Sequence, residues 1–294
     1  MISSLHNQRR GFSLAELLVV IAIVAILAGL TLSGINQVRI RQQNRTTEQI
    51  VLKLQEALDQ LVKATVEQVR KERLSHSTVF TSLLPYCDHD EDRAEALLLY
   101  CRLKHTFPQS FNEARAGVVI PTIIHWPPHA AYNDLPPGNG PAELEAAILL
   151  RKAVSRLGVG GATFASDDLM MASQIDLPWP NGGTAPVFVD AWKPYDATGN
   201  PRPITLRCFY EHPELQAPPF INPKSGSHDP YDPLGKLASL SWSQRSDAQT
   251  RLGLLFTGNN RVITVQSAGF DRTYNTQDDI WGYRLRQLGA RGNR

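Results

Sequence analysis

Disulfide chemistry is nearly absent from this chain. Its 294 residues hold three cysteines, Cys87, Cys101 and Cys208, too few and odd in number for a disulfide-built scaffold. One bridge, with Cys87 and Cys101 nearest in sequence, and three buried free thiols are both compatible with that count. An excess of one charge is also missing. The formal net charge is +2 and no basic stripe occurs, which excludes nucleic-acid binding as the main role. The short catalytic signatures are absent too: there is no Gly-x-Ser-x-Gly, no His-Glu-x-x-His and no P-loop. Two stretches approach known chemistry and miss it. In His125-Trp-Pro-Pro-His129 the prolines keep the chain extended, so the histidines cannot act as i and i+4 ligands on a helix, and the segment reads as a loop. Gly158-Val-Gly160-Gly161 closes a helix instead of opening one, the wrong order for a dinucleotide loop, and reads as a helix C-terminus.

What is present is a long apolar run. Phe12 to Leu32 is 21 residues with one ionisable group, Glu16. A helix of that length reaches roughly 31 Å, close to the hydrocarbon thickness of a bilayer. A secretory signal has a shorter apolar core and ends at a small-residue cleavage site. Here Thr31-Leu32-Ser33-Gly34 is a poor match to such a site. Arg9 and Arg10 precede the run, and Arg39, Arg41 and Arg45 follow it, so loop charge alone does not orient the span.

The order Arg9-Arg10-Gly11-Phe12-Ser-Leu-Ala-Glu16-Leu-Leu-Val-Val resembles the prepilin leader of type IV pilins and type II secretion pseudopilins. The resemblance implies cleavage between Gly11 and Phe12 by a prepilin peptidase on the cytoplasmic side. It also implies methylation of the new Phe12 amine and retention of the apolar helix. Glu16 becomes the fifth mature residue. The family reading pairs it with the Phe12 amine of a neighbouring subunit, setting the stagger of a filament. Pairing within one chain, at i and i+4 on one helix face, and a protonated neutral Glu16 are the competing arrangements. Many members of this family carry a proline inside the run and this chain does not; Gly29 and Gly34 are the residues expected to loosen the helix. Removing Met1 to Gly11 lowers the basic residues from 30 to 28, against 28 acids.

Beyond the span the helix is expected to continue from Asn36 to about Arg73. Ile50, Val51, Leu54, Leu58, Leu61, Val62, Val66 and Val69 recur at helical spacing between charged residues, an apolar stripe facing a globular partner. A helix is expected from Asp88 to about Lys104, with Ala94, Leu97, Leu98 and Cys101 as its buried face. Val118 to Ile124 is β-prone but broken by Pro121, at best an edge strand or an extended loop. Gly140-Pro141 opens a further helix to Leu157, with Leu144, Ile148 and Leu149 among its apolar positions. Strands are expected at 187–189, 204–210, 252–256 and 261–266, the last two joined by a hairpin through Thr257-Gly-Asn-Asn260. Asp190-Ala-Trp192 resembles the Asp-x-Trp-Gly segment that opens the sheet of major pseudopilins, with Lys193 in place of the glycine.

Near the C-terminus, Ser267-Ala-Gly269-Phe-Asp271-Arg-Thr-Tyr-Asn275-Thr-Gln-Asp278-Asp279-Ile280 gathers three carboxylates, an amide and a hydroxyl within 13 residues. Those are hard oxygen donors of the kind Ca²⁺ takes, although no EF-hand core is present. The segment resembles the Ser-x-Gly-x-Asp-Gly…Asp-Asp-Ile calcium loop of major pseudopilins. That resemblance implies Ser267, Asp271, Asp278 and Asp279 as structural Ca²⁺ ligands. An acidic surface loop braced by Arg272 or Arg284 is the alternative.

The expected architecture is α+β: a long N-terminal helix, transmembrane in its first half and amphipathic in its second, packed on a C-terminal antiparallel sheet. The parts are a leader at 1–11, a transmembrane helix at 12–35, its amphipathic continuation at 36–74 and a globular head at 75–294. A helical, Pro-rich insertion at about 82–180 is expected to form a partner-binding surface or a lid. The function implied by the resemblance is that of a non-catalytic structural subunit of a pilin-like filament, a type II secretion pseudopilus or a type IV pilus. Its partners would be copies of itself, other pseudopilins, the prepilin peptidase, the inner-membrane assembly platform and membrane lipid. It would be single-pass in the inner membrane, with the N-terminus cytoplasmic and the head periplasmic. A membrane-tethered extracytoplasmic enzyme or binding protein with a borrowed anchor is the alternative class.

Overall fold

The computed structural model describes residues 14–120, 123–156, 174–180, 182–192, 202–220 and 229–290. The chain divides into two compact units, Met1–Arg45 and Thr46–Arg294. The first helix, α1 (Leu14–Leu74), contributes to both, and it runs unbroken through Gly29 and Gly34. In the first unit its described apolar side chains are exposed, Leu14 to 81% and Leu18 and Ile26 each to 63%. Among the described residues no helix is long and apolar enough to cross a membrane. The described side chains of the apolar run span Leu14 to Gly29, and the run in the sequence extends beyond them at both ends, from Phe12 to Leu32.

In the second unit α1 turns its stripe inward. Ile50, Val51, Leu54, Ala57, Leu58, Leu61 and Val69 are buried, and Val62 and Val66 pack at the edge. Burial of each large aliphatic side chain contributes about 1.5–3 kcal/mol, so the stripe is a main source of the head's stability. Gln55 sits among these residues and is itself buried. Its amide donates to the Ile263 carbonyl at 3.1 Å and accepts from the Val265 N–H at 3.0 Å and the Thr264 hydroxyl at 2.9 Å. Those bonds fasten α1 to the strand carrying residues 263–265. Gly282 must approach the same side chain, since a Cβ there would lie 2.3 Å from Gln55 Oε1.

After α2 (Thr78–Leu83), α3 spans Glu91–Thr106. It begins three residues later than the sequence suggests because Asp88 (φ 55°) and His89 (φ 58°) adopt left-handed backbone, which no α-helix accommodates. Asp90 caps it, accepting from the Asp92 and Arg93 N–H groups at 3.1 Å. Burial reaches nearly all the way round, taking in Arg93, Leu99, Tyr100 and Leu103 besides the expected face. α4 (Phe111–Ala116) follows. The β-prone stretch around Pro121 forms two strands instead of one, β1 (Val118–Ile120) and β2 (Ile124–Trp126), paired antiparallel. Proline has no N–H to continue the ladder, so the first strand stops there. α5 (Ala142–Arg156) starts after Pro141 as expected. The expected last residue, Leu157, and the Gly158–Gly161 bend lie outside the described residues.

The remaining strands are antiparallel throughout. β3 (Gln174–Pro178) pairs with β4 (Thr184–Phe188), and β5 (Thr205–Tyr210), β6 (Val262–Ser267) and β7 (Ile280–Trp281) form a three-stranded sheet in that order. The expected strand at 252–256 is not one. Residues up to Leu252 complete a helix, α6 (Arg245–Leu252), with an Arg251–Asp247 pair at 2.8 Å one turn apart. Gly253 ends it in the left-handed conformation, and Phe256 packs into the core from a connector. The expected hairpin through Thr257–Asn260 therefore does not form, and β6 is flanked by β5 and β7. Asn260 instead donates to the Leu215 and Phe220 carbonyls at 3.1 and 3.2 Å. A final helix, α7 (Gly282–Ala290), closes the described chain.

The described elements of the 82–180 segment are built into this core. Leu97, Leu98 and Leu103 of α3 and Leu149 and Leu150 of α5 join the same buried cluster as Leu54 and Leu58 of α1. All three cysteines are buried free thiols, with Cys208 donating to the Phe107 carbonyl at 3.1 Å.

Candidate functional site

Two regions carry the residues singled out by the sequence. The first is the start of α1. Glu16 lies in its first turn, where the unsatisfied N–H groups and the aligned peptide dipoles favour a carboxylate. Gly11 and Phe12 lie outside the described residues. Around Glu16, Leu14, Leu17, Leu18, Val19 and Val20 are all exposed. Contiguous apolar surface of this extent marks a face meant to be covered by lipid or by other helices.

The second region is the acidic loop between β6 and β7. Its entry turns on Gly269 (φ 64°), where a Cβ would lie 2.3 Å from the Asp278 carbonyl oxygen, so only glycine permits the two arms to meet. Arg272 and Asn275 take left-handed backbone as well. The loop then closes on its own donors. The Asp271 N–H donates to Asp278 Oδ2 at 2.8 Å, and the Thr276 hydroxyl to Asp278 Oδ1 at 2.7 Å. Burial works to raise the Asp278 pKa, but these bonds together hold it below the ordinary carboxylate value. Asp279 Oδ2 accepts from the Asn275 N–H at 2.7 Å and from the Gln266 amide. Asp271 Oδ1 accepts from the Thr273 N–H at 2.7 Å. The Ser267 hydroxyl donates to Asp190 Oδ2 at 3.0 Å and accepts from the Gly269 N–H at 3.4 Å.

The four expected calcium ligands are thus neighbours without forming a cage. Asp279 points inward to Gln266 and Ser267 to Asp190, while Asp278 accepts from the Asp271 N–H and Asp271 from the Thr273 N–H. Among the described residues no group of three or more His, Cys, Asp or Glu side chains is placed to hold a metal ion. In this arrangement the carboxylates accept from the loop's own N–H and O–H donors. The arginine brace is divided. Arg284 pairs with Glu214 at 2.6 Å, away from the loop, whereas the charge of Arg272 acts on Asp190. His125 and His129 are likewise apart in role: His125 is exposed on β2, and His129 Nδ1 accepts from the Ala131 N–H at 3.2 Å as a cap.

Two residues at the base of the loop were invisible as partners in the sequence. Gln266 is fully buried and links the sheet to the loop, accepting from Arg207 Nε at 2.6 Å while donating to Asp279. Asp190, in the Asp-Ala-Trp segment, is 3% exposed and accepts from the Trp192 N–H at 3.1 Å besides Ser267. Its next residue, Ala191, donates to Thr47 of α1 at 3.1 Å. Burial pushes the Asp190 carboxyl up to about 6, against the opposing pull of Ser267, the Trp192 N–H and Arg272. A carboxyl raised on folding contributes stability that is complete below its ordinary 3.8 and is lost as pH rises through about 6. Asp190→Asn keeps the shape and the Trp192 bond, with the Ser267 hydroxyl turning to accept from the amide, and removes the buried charge. It is expected to flatten the stability–pH curve over that window and to raise stability at neutral pH by up to about 2–3 kcal/mol. Thermal unfolding of the detergent-solubilised chain across pH reads both effects, and a loss of stability at neutral pH would contradict them.

Residues 6–32 match the prokaryotic N-terminal methylation motif. No curated protein and no solved structure shows significant similarity to the chain. The chain therefore carries the leader signature of type IV pilins and pseudopilins, which goes with prepilin peptidase processing and filament assembly in general.

Proposed function

We propose that this chain is a non-catalytic structural subunit of a pilin-like filament, a type II secretion pseudopilus or a type IV pilus, assembled from the inner membrane. The observation that carries the reading is the methylation motif at residues 6–32, with Gly11-Phe12 and Glu16 at the spacing the family requires. The 21-residue apolar run from Phe12 to Leu32 supplies a membrane anchor of bilayer length, with the head on the periplasmic side and the N-terminus in the cytoplasm. Peptidase cleavage after Gly11 frees the Phe12 amine, methylation caps it, and the exposed apolar face of α1 passes from lipid to the helices of neighbouring subunits. Copies of this chain, other pseudopilins and the inner-membrane assembly platform are its partners. N-terminal sequencing of the mature protein tests the reading directly: the first residue is expected to be N-methylated Phe12. A mature chain beginning at Met1, or one lacking the apolar run, would overturn it.

No step of this assembly runs through calcium. Because the loop carboxylates are satisfied by the loop's own donors, melting is expected to coincide in chelator and in added Ca²⁺. A Ca²⁺-dependent rise in melting temperature that disappears in Asp271→Ala would instead establish the ion as a structural component.

A further inference from the structure

Just beyond the apolar run, α1 carries three exposed arginines, Arg39, Arg41 and Arg45. Among the described residues none of them forms an ion pair, and no Asp or Glu occurs in the sequence between Glu16 and Glu48. Exposed Ile35, Val38 and Ile40 alternate with them, so apolar and cationic groups share the same two turns. That mixture is characteristic of a helix segment lying in a membrane interface. At 100° per residue Arg39 and Arg41 lie on nearly opposite sides of the helix, which makes a collar and not a stripe.

Depth follows from the helical rise. With Leu32 at the edge of the hydrocarbon, the Arg39 and Arg41 backbones stand about 10 and 14 Å beyond it, and Arg45 about 20 Å. Helical side chains tilt back toward the N-terminus, here toward the membrane, and an extended arginine covers several of those ångströms. The guanidinium groups of Arg39 and Arg41 therefore reach a headgroup layer about 5–8 Å thick, whereas Arg45 stays outside it. A guanidinium binds a phosphate oxygen pair through two parallel N–H donors, a geometry that favours phosphodiesters.

We infer that Arg39 and Arg41 form a binding collar for anionic phospholipid headgroups, engaged by the membrane-inserted subunit before it enters the filament. The inference rests on the membrane-anchored reading proposed above. The test uses the full-length chain in phosphatidylcholine vesicles doped with phosphatidylglycerol, with trace spin-labelled lipid of either headgroup. Resistance to alkaline carbonate extraction is scored first. Wild-type protein is expected to immobilise the labelled phosphatidylglycerol about fivefold or more over phosphatidylcholine, a preference that high salt removes. Arg39→Gln with Arg41→Gln should bring the two lipids to parity. Arg45→Gln, and Arg70→Gln farther along the helix, should leave the preference intact, and Arg39→Lys with Arg41→Lys should retain most of it. Failure of the chain to resist extraction would overturn both the anchor and the collar. Firm insertion without lipid preference, or with equal loss in Arg45→Gln, would overturn the collar alone. So would a loss of fibre co-assembly in the double glutamine variant with lipid preference unchanged, which would assign the arginines to carboxylates of a neighbouring subunit.

Discussion

Glu16→Ala is expected to leave the chain cleaved after Gly11 and held in the membrane, yet to remove it from sheared fibres. Cleavage depends on Gly11 and the residues beside it, and replacing a carboxylate by a methyl makes the apolar run more lipophilic, so insertion cannot suffer. Assembly is different. A carboxylate near the end of a membrane helix costs up to about 2.5–3.5 kcal/mol, and a cation from the next copy offsets most of that. Loss of about 2–3 kcal/mol at each subunit contact raises the concentration needed for polymerisation by roughly 30–150-fold. A contact repeated at every subunit makes the polymer fail cooperatively instead of weakening in proportion. Glu16→Gln separates charge from shape. If the carboxylate pairs with a neighbouring amine, the glutamine variant fails as well; if the residue only packs, it assembles. Intersubunit crosslinking in membranes from cells producing each variant is the measurement. Crosslinks in Glu16→Ala as strong as in the parent would remove Glu16 from the assembly mechanism.

The parts of this fold that could be read in the sequence are those set by local periodicity. The stripe from Ile50 to Val69 repeats every three or four residues, and the helix and its buried face are where that repeat puts them. The start of α5 follows from Pro141, whose missing N–H and fixed φ suit a first turn. Where context decides, the sequence misleads. Leu252-Gly-Leu-Leu-Phe256 has strand composition, but the helix ending at Leu252 is nucleated by polar residues upstream, Asp247 and Arg251 among them. The acidic loop shows the same limit from the other side. Its donors are adjacent in sequence, but whether they converge depends on Gln266 and Asp190, one on the strand before the loop and the other 77 residues upstream of Ser267. The resemblance implies Asp279 as a ligand, and in the structure its carboxylate accepts from Gln266 and the Asn275 N–H. The motif at the N-terminus needed no such context, because it is defined by the order of its residues alone.

Arg261 was legible only as the first residue of a strand, and it is the residue whose loss should cost the head most. It is 2% exposed. Its guanidinium donates to Glu211, to the Tyr100 hydroxyl at 3.2 Å, to the Leu255 carbonyl and to the Thr257 hydroxyl at 3.2 Å. Tyr100 in turn donates to Asp229, so one cation joins α3, the connector after α6 and the loops at 211 and 229. Burial pushes the Asp229 carboxyl up to about 6, with Tyr100, the Tyr231 N–H and the charge of Arg261 pulling against it. Arg261→Ala removes that opposing charge and breaks the buried network of four hydrogen bonds, a defect that costs about 3–5 kcal/mol. The sign of its pH dependence follows. Asp229 is already raised above its ordinary 3.8, and without Arg261 it rises further, so the variant should go on losing stability to a higher pH than the parent does. Adding Asp229→Asn should recover part of the loss at neutral pH, since an amide needs no counter-charge. Arg261→Lys should fall between, because an ammonium keeps the charge but cannot reach four acceptors lying in three directions. Chemical denaturation of the full-length chain in detergent, run at mildly acidic and at neutral pH, measures all four. An Arg261→Ala variant within about 1 kcal/mol of the parent at neutral pH would mean that the network packs the head without holding it together.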